Sequence, residues 1–128
     1  MADATKVALF GLGRIGGQFA ERVREARLHG KPVEIVAVAE RNKSSALAKA
    51  FYDDGTPVYT DAVEALNHTA DIDVIFDLTG VPEVRAAIRK KLHESGNSRT
   101  VVAPESVVRF FWMLFEDMNL SGPDRSGY

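Results

Sequence analysis

The chain predicts an α/β fold: one doubly wound domain built on a parallel sheet with strand order 3-2-1-4-5. Three observations lead there. Short apolar runs alternate with helix-period segments along the whole length, as in a repeated strand–helix unit. Strand candidates such as VEIVAVA are apolar on both faces, as parallel strands covered on both sides are. The first strand candidate runs directly into a glycine-rich turn that opens a helix, VALFGLGRIGGQF. Right-handed crossovers between parallel strands then favour the 3-2-1-4-5 order.

Each element has its own local reason. Lys6–Phe10 reads as a short buried strand. Ile15, Phe19, Val23 and Ala26 recur at helical spacing between charged residues, and Gly30 and Pro32 end that helix. Val33–Ala39 is the second strand. Ser44 is expected to cap a helix carrying Leu47, Ala50 and Phe51, which the DDGTP stretch breaks. Pro57–Tyr59 is a minor strand. Asp61 with Glu64 three residues on reads as a capping box for a short helix bearing Val63 and Leu66. Asp73–Leu78 is the fourth strand. Pro82 suits a first helical turn, and Val84, Ile88 and Leu92 form that helix's inner face. Thr100–Ala103 is the fifth strand, followed by a last helix from Ser106 to Met118. The expected domain covers residues 1–120, and the polar tail 121–128 is expected to be disordered.

The glycines read Gly11-x-Gly13-x-x-Gly16 after a strand and at the start of a helix, the context a dinucleotide fingerprint requires. Gly11 permits the tight turn, Gly13 lets backbone approach a pyrophosphate, and Gly16 lets the helix pack on the sheet. The free N–H groups near Arg14, Ile15 and Gly16 then face the phosphates, aided by the helix dipole. Glu40, at the end of the second strand, is placed to accept hydrogen bonds from the adenosine ribose hydroxyls and favours NAD over NADP. Arg41 would pair with a 2′-phosphate if it turned inward, with Lys43 helping, but a solvated loop is the expected state of both. Thr79 and Gly80 follow the fourth strand at the switch-point crevice. They read either as contacts to the cofactor's central portion or as a plain strand-to-helix turn.

Composition narrows the alternatives. The 128 residues are 45% hydrophobic and 27% charged, with a formal net charge of −2. That balance points to no nucleic-acid or anionic-membrane partner. Cysteine is absent, which removes disulfides, thiolate nucleophiles and cysteine-ligated metals. No run approaches the roughly 18 apolar residues of a membrane span, and MADATK has no apolar run behind a basic start, so no signal peptide is expected; a cytoplasmic protein is expected.

The stretches VALFGLGRIGGQFAERV, VAVAERNKSSALAKAF, PVYTDAVEAL and DIDVIFDLTGVPEV together resemble the nucleotide-binding half of the glucose–fructose oxidoreductase and inositol dehydrogenase families. They are similar also to the NAD-binding half of homoserine dehydrogenase. The resemblance covers Lys6 to Ala103 and implies a Rossmann-like fold, with Gly11, Gly13 and Gly16 on the pyrophosphate loop and Glu40 as the ribose carboxylate. It also has departures. Where the first group carries a Glu-Lys-Pro motif, this chain reads Ala103-Pro104-Glu105-Ser106, with no lysine. The GLGRIG loop resembles that of glyceraldehyde-3-phosphate dehydrogenase, but no cysteine is present to serve as nucleophile. Such enzymes carry a second, substrate-binding domain of comparable size, and none is expected within these 128 residues. Stand-alone NAD-binding-like domains of bacterial sensor and regulatory proteins are similar in length and in the aromatic-rich helix after the fifth strand.

Few side chains are candidates for catalysis. His29, His68 and His93 all read as surface residues, and none is expected at the carboxyl edge of the sheet. Glu105 stands at that edge and is expected to cap the last helix. Asp77, within a strand, is expected to hydrogen-bond a neighbouring loop. The last helix is apolar nearly all round. Val108, Phe111, Trp112 and Phe115 are expected to cover the sheet, leaving Phe110, Met113 and Leu114 toward water as a homodimer or partner face. The expected function is an NAD(H)-binding regulatory or sensory module without its own catalytic domain. The alternatives are the cofactor-binding half of an NAD(P)-dependent oxidoreductase, and a ligand-free dimerisation domain.

Overall fold

The computed structural model describes residues 3–115. Ten elements alternate along them: β1 (Thr5–Phe10), α1 (Arg14–Leu28), β2 (Val33–Ala39), α2 (Ala46–Asp53), β3 (Val58–Tyr59), α3 (Ala62–Asn67), β4 (Val74–Asp77), α4 (Pro82–Glu94), β5 (Val101–Pro104) and α5 (Glu105–Phe115). The five strands form one sheet in the order β3-β2-β1-β4-β5, and every pairing is parallel. This is the doubly wound, Rossmann-like arrangement expected from the sequence.

Strand alternation divides the core into two layers. Ala8, Phe10, Ala37, Ala39 and Ile75 point to the face covered by α3 and α4, where Ala62, Ala65 and Ile88 meet them. Val7, Leu9, Ile35 and Val38 point to the other face, against Ala20 of α1 and Phe51 of α2. Val84 and Leu92 pack beside Ile88, so the expected inner face of α4 is the observed one. Completely burying side chains such as Phe10 and Phe51 contributes about 1.5–3 kcal/mol each.

α5 returns to the α1 side of the sheet, where Trp112 lies 6.3 Å from Phe19 and Phe19 lies 4.7 Å from Phe76, measured between ring centroids. Val108 is fully buried, whereas Phe110, Met113 and Leu114 are more than half exposed. The expected two-stripe division therefore holds for Val108, Phe111 and Trp112 against Phe110, Met113 and Leu114, and the Phe115 side chain lies outside the described residues. The stretch beyond Phe115, including the expected end at Met118 and the tail 121–128, lies outside the described residues.

Two caps differ from expectation. Ser45, not Ser44, caps α2: its Oγ accepts from the Ala48 N–H at 3.1 Å. The Ser44 N–H is instead committed to Asn42 Oδ1 at 3.0 Å, a local turn that delays the helix by one residue. Glu105 is the first helical residue of α5 rather than its cap, because β5 runs through Pro104 to the helix start. It still lies in the first turn, where a carboxylate complements the helix dipole, and pairs with Arg109 at 3.6 Å. Half of the expected capping box is present: the Asp61 carboxylate accepts from the Glu64 N–H at 3.3 Å and caps α3, but the Glu64 side chain does not return a bond to the Asp61 N–H.

Candidate functional site

Three hydrogen bonds bring the carboxyl ends of neighbouring strands level. Gly11 N–H donates to Ala39 O, Leu78 N–H to Phe10 O and Glu40 N–H to Tyr59 O, each at 2.8 Å. β1 leads to β2 on one side and lies beside β4 on the other. The chain order therefore reverses at β1, and a crevice opens there, where open α/β sheets hold their ligands.

The glycines of the β1–α1 turn play unequal parts. Gly11 has φ +95°, and a Cβ there would stand 2.7 Å from the Leu78 carbonyl carbon and oxygen. A Cβ on Gly16 would overlap the Gly11 carbonyl oxygen, and Gly16 is buried. Both glycines are thus required by the fold itself. Gly13 is not. Its φ is −73°, which any residue adopts, and a Cβ there would meet nothing within 4 Å. It stands at the N-cap of α1 with no side-chain cap, and the Gly17 N–H is already bonded to the Gly13 carbonyl. Arg14, Ile15 and Gly16 supply the first-turn N–H groups, which lie before the intrahelical ladder begins.

A cavity of about 210 Å³ opens beside this turn. Gly11 and Gly13 line it from β1–α1, Ala39, Glu40 and Arg41 from the end of β2, and Leu78, Thr79, Val81 and Val84 from β4–α4. The structure thus brings Gly11, Gly13, Glu40, Arg41 and Thr79 to one wall. Gly16 sits behind that wall. Gly80, with φ +70°, lines a neighbouring groove beside Arg85 and Arg89. Thr60 and Asp61, between β3 and α3, and Ala62, the first residue of α3, complete the cavity and were not among the expected site residues. Asp61 was visible in the sequence only as a helix cap.

Glu40 is fixed. Its Oε1 accepts from the Leu12 N–H of the glycine turn at 2.6 Å, and its Oε2 from the Asn42 N–H at 2.8 Å. A carboxylate offers about four acceptor sites, so two remain for hydroxyl donors. Asp77 is 2% exposed and meets the expected loop: Oδ1 accepts from the Thr79 N–H at 3.3 Å and Thr79 Oγ at 2.8 Å. Arg85 Nε stands 3.5 Å from the other oxygen. Thr79 Oγ also accepts from the Val81 N–H at 3.2 Å. Its proton being committed to Asp77, this hydroxyl can only accept from a ligand, and would meet a hydroxyl or amide rather than a phosphate oxygen.

The histidines stand away from the cavity. His29 follows α1 with Nδ1 2.8 Å from Glu25 O, His68 follows α3 and stacks on Tyr59, and His93 is in the last turn of α4. Among the described residues no cluster of His, Cys, Asp or Glu is arranged to hold a metal ion, and no helix is long and apolar enough to cross a membrane.

A glycine turn at a sheet switch point, with a fixed carboxylate closing it from the next strand, defines the class: a Rossmann-like domain. The homoserine dehydrogenase NAD-binding domain family matches residues 11–101, and the chain belongs to that family. Solved structures agree in fold. A homoserine dehydrogenase from S. aureus, crystallised at pH 7.5, is 18% identical with a TM-score of 0.58 over 93% of this chain. The same enzyme at pH 6.5 gives 19% and 0.57 over 91%. A homoserine dehydrogenase from Thiobacillus denitrificans is 23% identical with a TM-score of 0.55 over 94%. The match spans 31% of the S. aureus chain and 28% of the Thiobacillus denitrificans chain. No curated protein matches the sequence.

Proposed function

We propose that this chain is the cofactor-binding part of an oxidoreductase and holds NAD(H) in the crevice between β1, β2 and β4. The observation that carries the reading is Gly13. Beyond a modest N-cap preference, about 1 kcal/mol over alanine, the fold gives no reason for glycine there, since a Cβ would meet nothing within 4 Å and φ is −73°. A ligand that must approach backbone closely supplies the reason.

In this reading the first-turn N–H groups of Arg14, Ile15 and Gly16 receive the pyrophosphate, and Gly11 and Gly16 hold the turn in shape. The free acceptor sites of Glu40 take the adenosine ribose hydroxyls. Thr79 and Gly80 flank the cofactor's central portion, with Thr79 as an acceptor. The 210 Å³ cavity is smaller than the roughly 300–1,000 Å³ of a pocket that encloses a drug-sized ligand, so it holds one end of the dinucleotide. When bound, the dinucleotide supplies hydride transfer at its nicotinamide. No residue of this chain is assigned as acid or base.

Family membership and the homoserine dehydrogenase structures support the cofactor-binding half of an enzyme over the stand-alone sensing module expected from the sequence. Calorimetric titration with NADH tests the reading. Saturable heat from wild type is expected, with the Kd raised roughly 30- to 150-fold in Gly13→Val. Silence from a folded wild-type protein would overturn it.

A further inference from the structure

We infer that Asp61 is a specificity-determining residue of the crevice, a second carboxylate that with Glu40 turns away a ribose 2′-phosphate. The inference rests on the dinucleotide reading above and adds a residue to it. Glu40 follows β2, which places the adenosine ribose at this end of the crevice. Asp61 lines the same cavity from the β3–α3 junction. The two are neighbours through the sheet, because Glu40 N–H donates to the carbonyl of Tyr59, two residues before Asp61.

Neither carboxylate is free to swing away. Glu40 is held by Leu12 and Asn42, and Asp61 by the Glu64 N–H that it caps. The segment bearing Arg41 is closed by its own bonds, with Asn42 Oδ1 accepting from Ser44 and the Asn42 carbonyl from Ser45 at 3.1 Å. Among the described residues Arg41 is the one cation on the cavity wall, and Lys43 is not on it. Two tethered carboxylates and one arginine therefore line the cavity, where a 2′-phosphate would bring a charge of about −1.5 to −2. A ribose carrying free hydroxyls brings only donors, which the carboxylates accept.

Asp61 allows a clean test, because charge and capping can be separated. Asn and Ser rank with Asp as helix N-caps, so Asp61→Asn and Asp61→Ser keep α3 closed while removing the charge. Kd values for NADH and NADPH are measured on wild type and both variants, at low and high NaCl. Wild type should bind NADH about tenfold or more tightly than NADPH, and each variant should strengthen NADPH about fivefold while moving NADH by less than about twofold. The wild-type gap should narrow with salt, as screening requires. Equal wild-type affinities, or a ratio that neither variant moves, would overturn the role of Asp61 alone. Binding of neither dinucleotide to the folded protein would overturn the dinucleotide reading itself.

Discussion

Replacing the three glycines of the β1–α1 turn one at a time should separate folding from ligand binding. At Gly13, alanine fits the observed φ of −73° and open surroundings. It loses glycine's advantage at the N-cap, about 1 kcal/mol, and gains about 0.4–1 kcal/mol from a less flexible unfolded chain. The net stability change should stay within about 1 kcal/mol. Gly16→Ala must lift α1 off the Gly11 carbonyl, since its Cβ also comes within 3.1 Å of Leu78 Cβ, at a cost of about 3 kcal/mol or more. Gly11→Ala adds left-handed strain of about 1–2 kcal/mol to contacts of 2.7 Å with Leu78 backbone, for about 3–5 kcal/mol in all.

Thermal denaturation reads the stability side. For a domain of this size each kcal/mol moves Tm by roughly 4 °C, so Gly11→Ala and Gly16→Ala should lose roughly 10–20 °C and Gly13→Ala only a few. Titration with NADH reads the other side. Valine at Gly13 should weaken binding by about 2–3 kcal/mol, roughly 30- to 150-fold in Kd, by filling the space the pyrophosphate needs. The reasoning is refuted if Gly13→Ala melts as low as Gly16→Ala, or if Gly13→Val binds NADH like wild type.

Other outcomes follow from the same geometry. Glu40→Ala frees the N–H groups of Leu12 and Asn42, so it should cost about 1–2 kcal/mol in chemical denaturation and weaken NADH as well; an unchanged Kd would remove Glu40 from the site. The Arg24 guanidinium holds the Asp54 carboxyl below its ordinary value of 3.8, chiefly through a hydrogen bond at 2.5 Å, and the Lys6 N–H and Arg99 do the same for Asp73. Because both folded values are depressed, their stabilisation is complete above the ordinary carboxylate value and is lost as pH falls through the depressed ones. A denaturation midpoint followed downward from pH 6 should hold until about pH 4 and then drop, and Asp54→Asn should shrink that drop. We propose that the exposed Phe110, Met113 and Leu114 of α5 form a homodimer face. Sedimentation at micromolar concentration should show a dimer that Phe110→Lys with Leu114→Lys dissolves, with little change in monomer stability; a wild-type monomer would refute it.

Much of the fold was legible because its signals are local. The β-branched run Val33–Ala39, bounded by Pro32, is a strand with the bounds expected of it. Pro82 opens α4, and the spacing of Val84, Ile88 and Leu92 identified its buried face. Misplaced caps came from competition between neighbours. Ser44 and Ser45 are equally good cap residues, and only the turn made by Asn42 decides between them. At the site, the glycine spacing and Glu40 were readable from one turn and one strand end. The approach of Thr60 and Asp61 was not, because it depends on β3 pairing beside β2, a contact that no periodicity records. The bonds that fix Glu40 and engage Thr79 were likewise hidden, since one crosses from the glycine turn to the end of β2 and the other depends on how the β4–α4 turn folds back on Asp77.

Amide chemical-shift mapping of the whole chain during an NADH titration tests the central claim most directly. The account predicts saturable shifts at Gly11, Gly13, Arg14, Ile15 and Gly16, with accompanying shifts at Glu40, Arg41, Thr79 and Gly80. A folded protein whose spectrum does not move, or whose shifts gather on α5 instead, would contradict it.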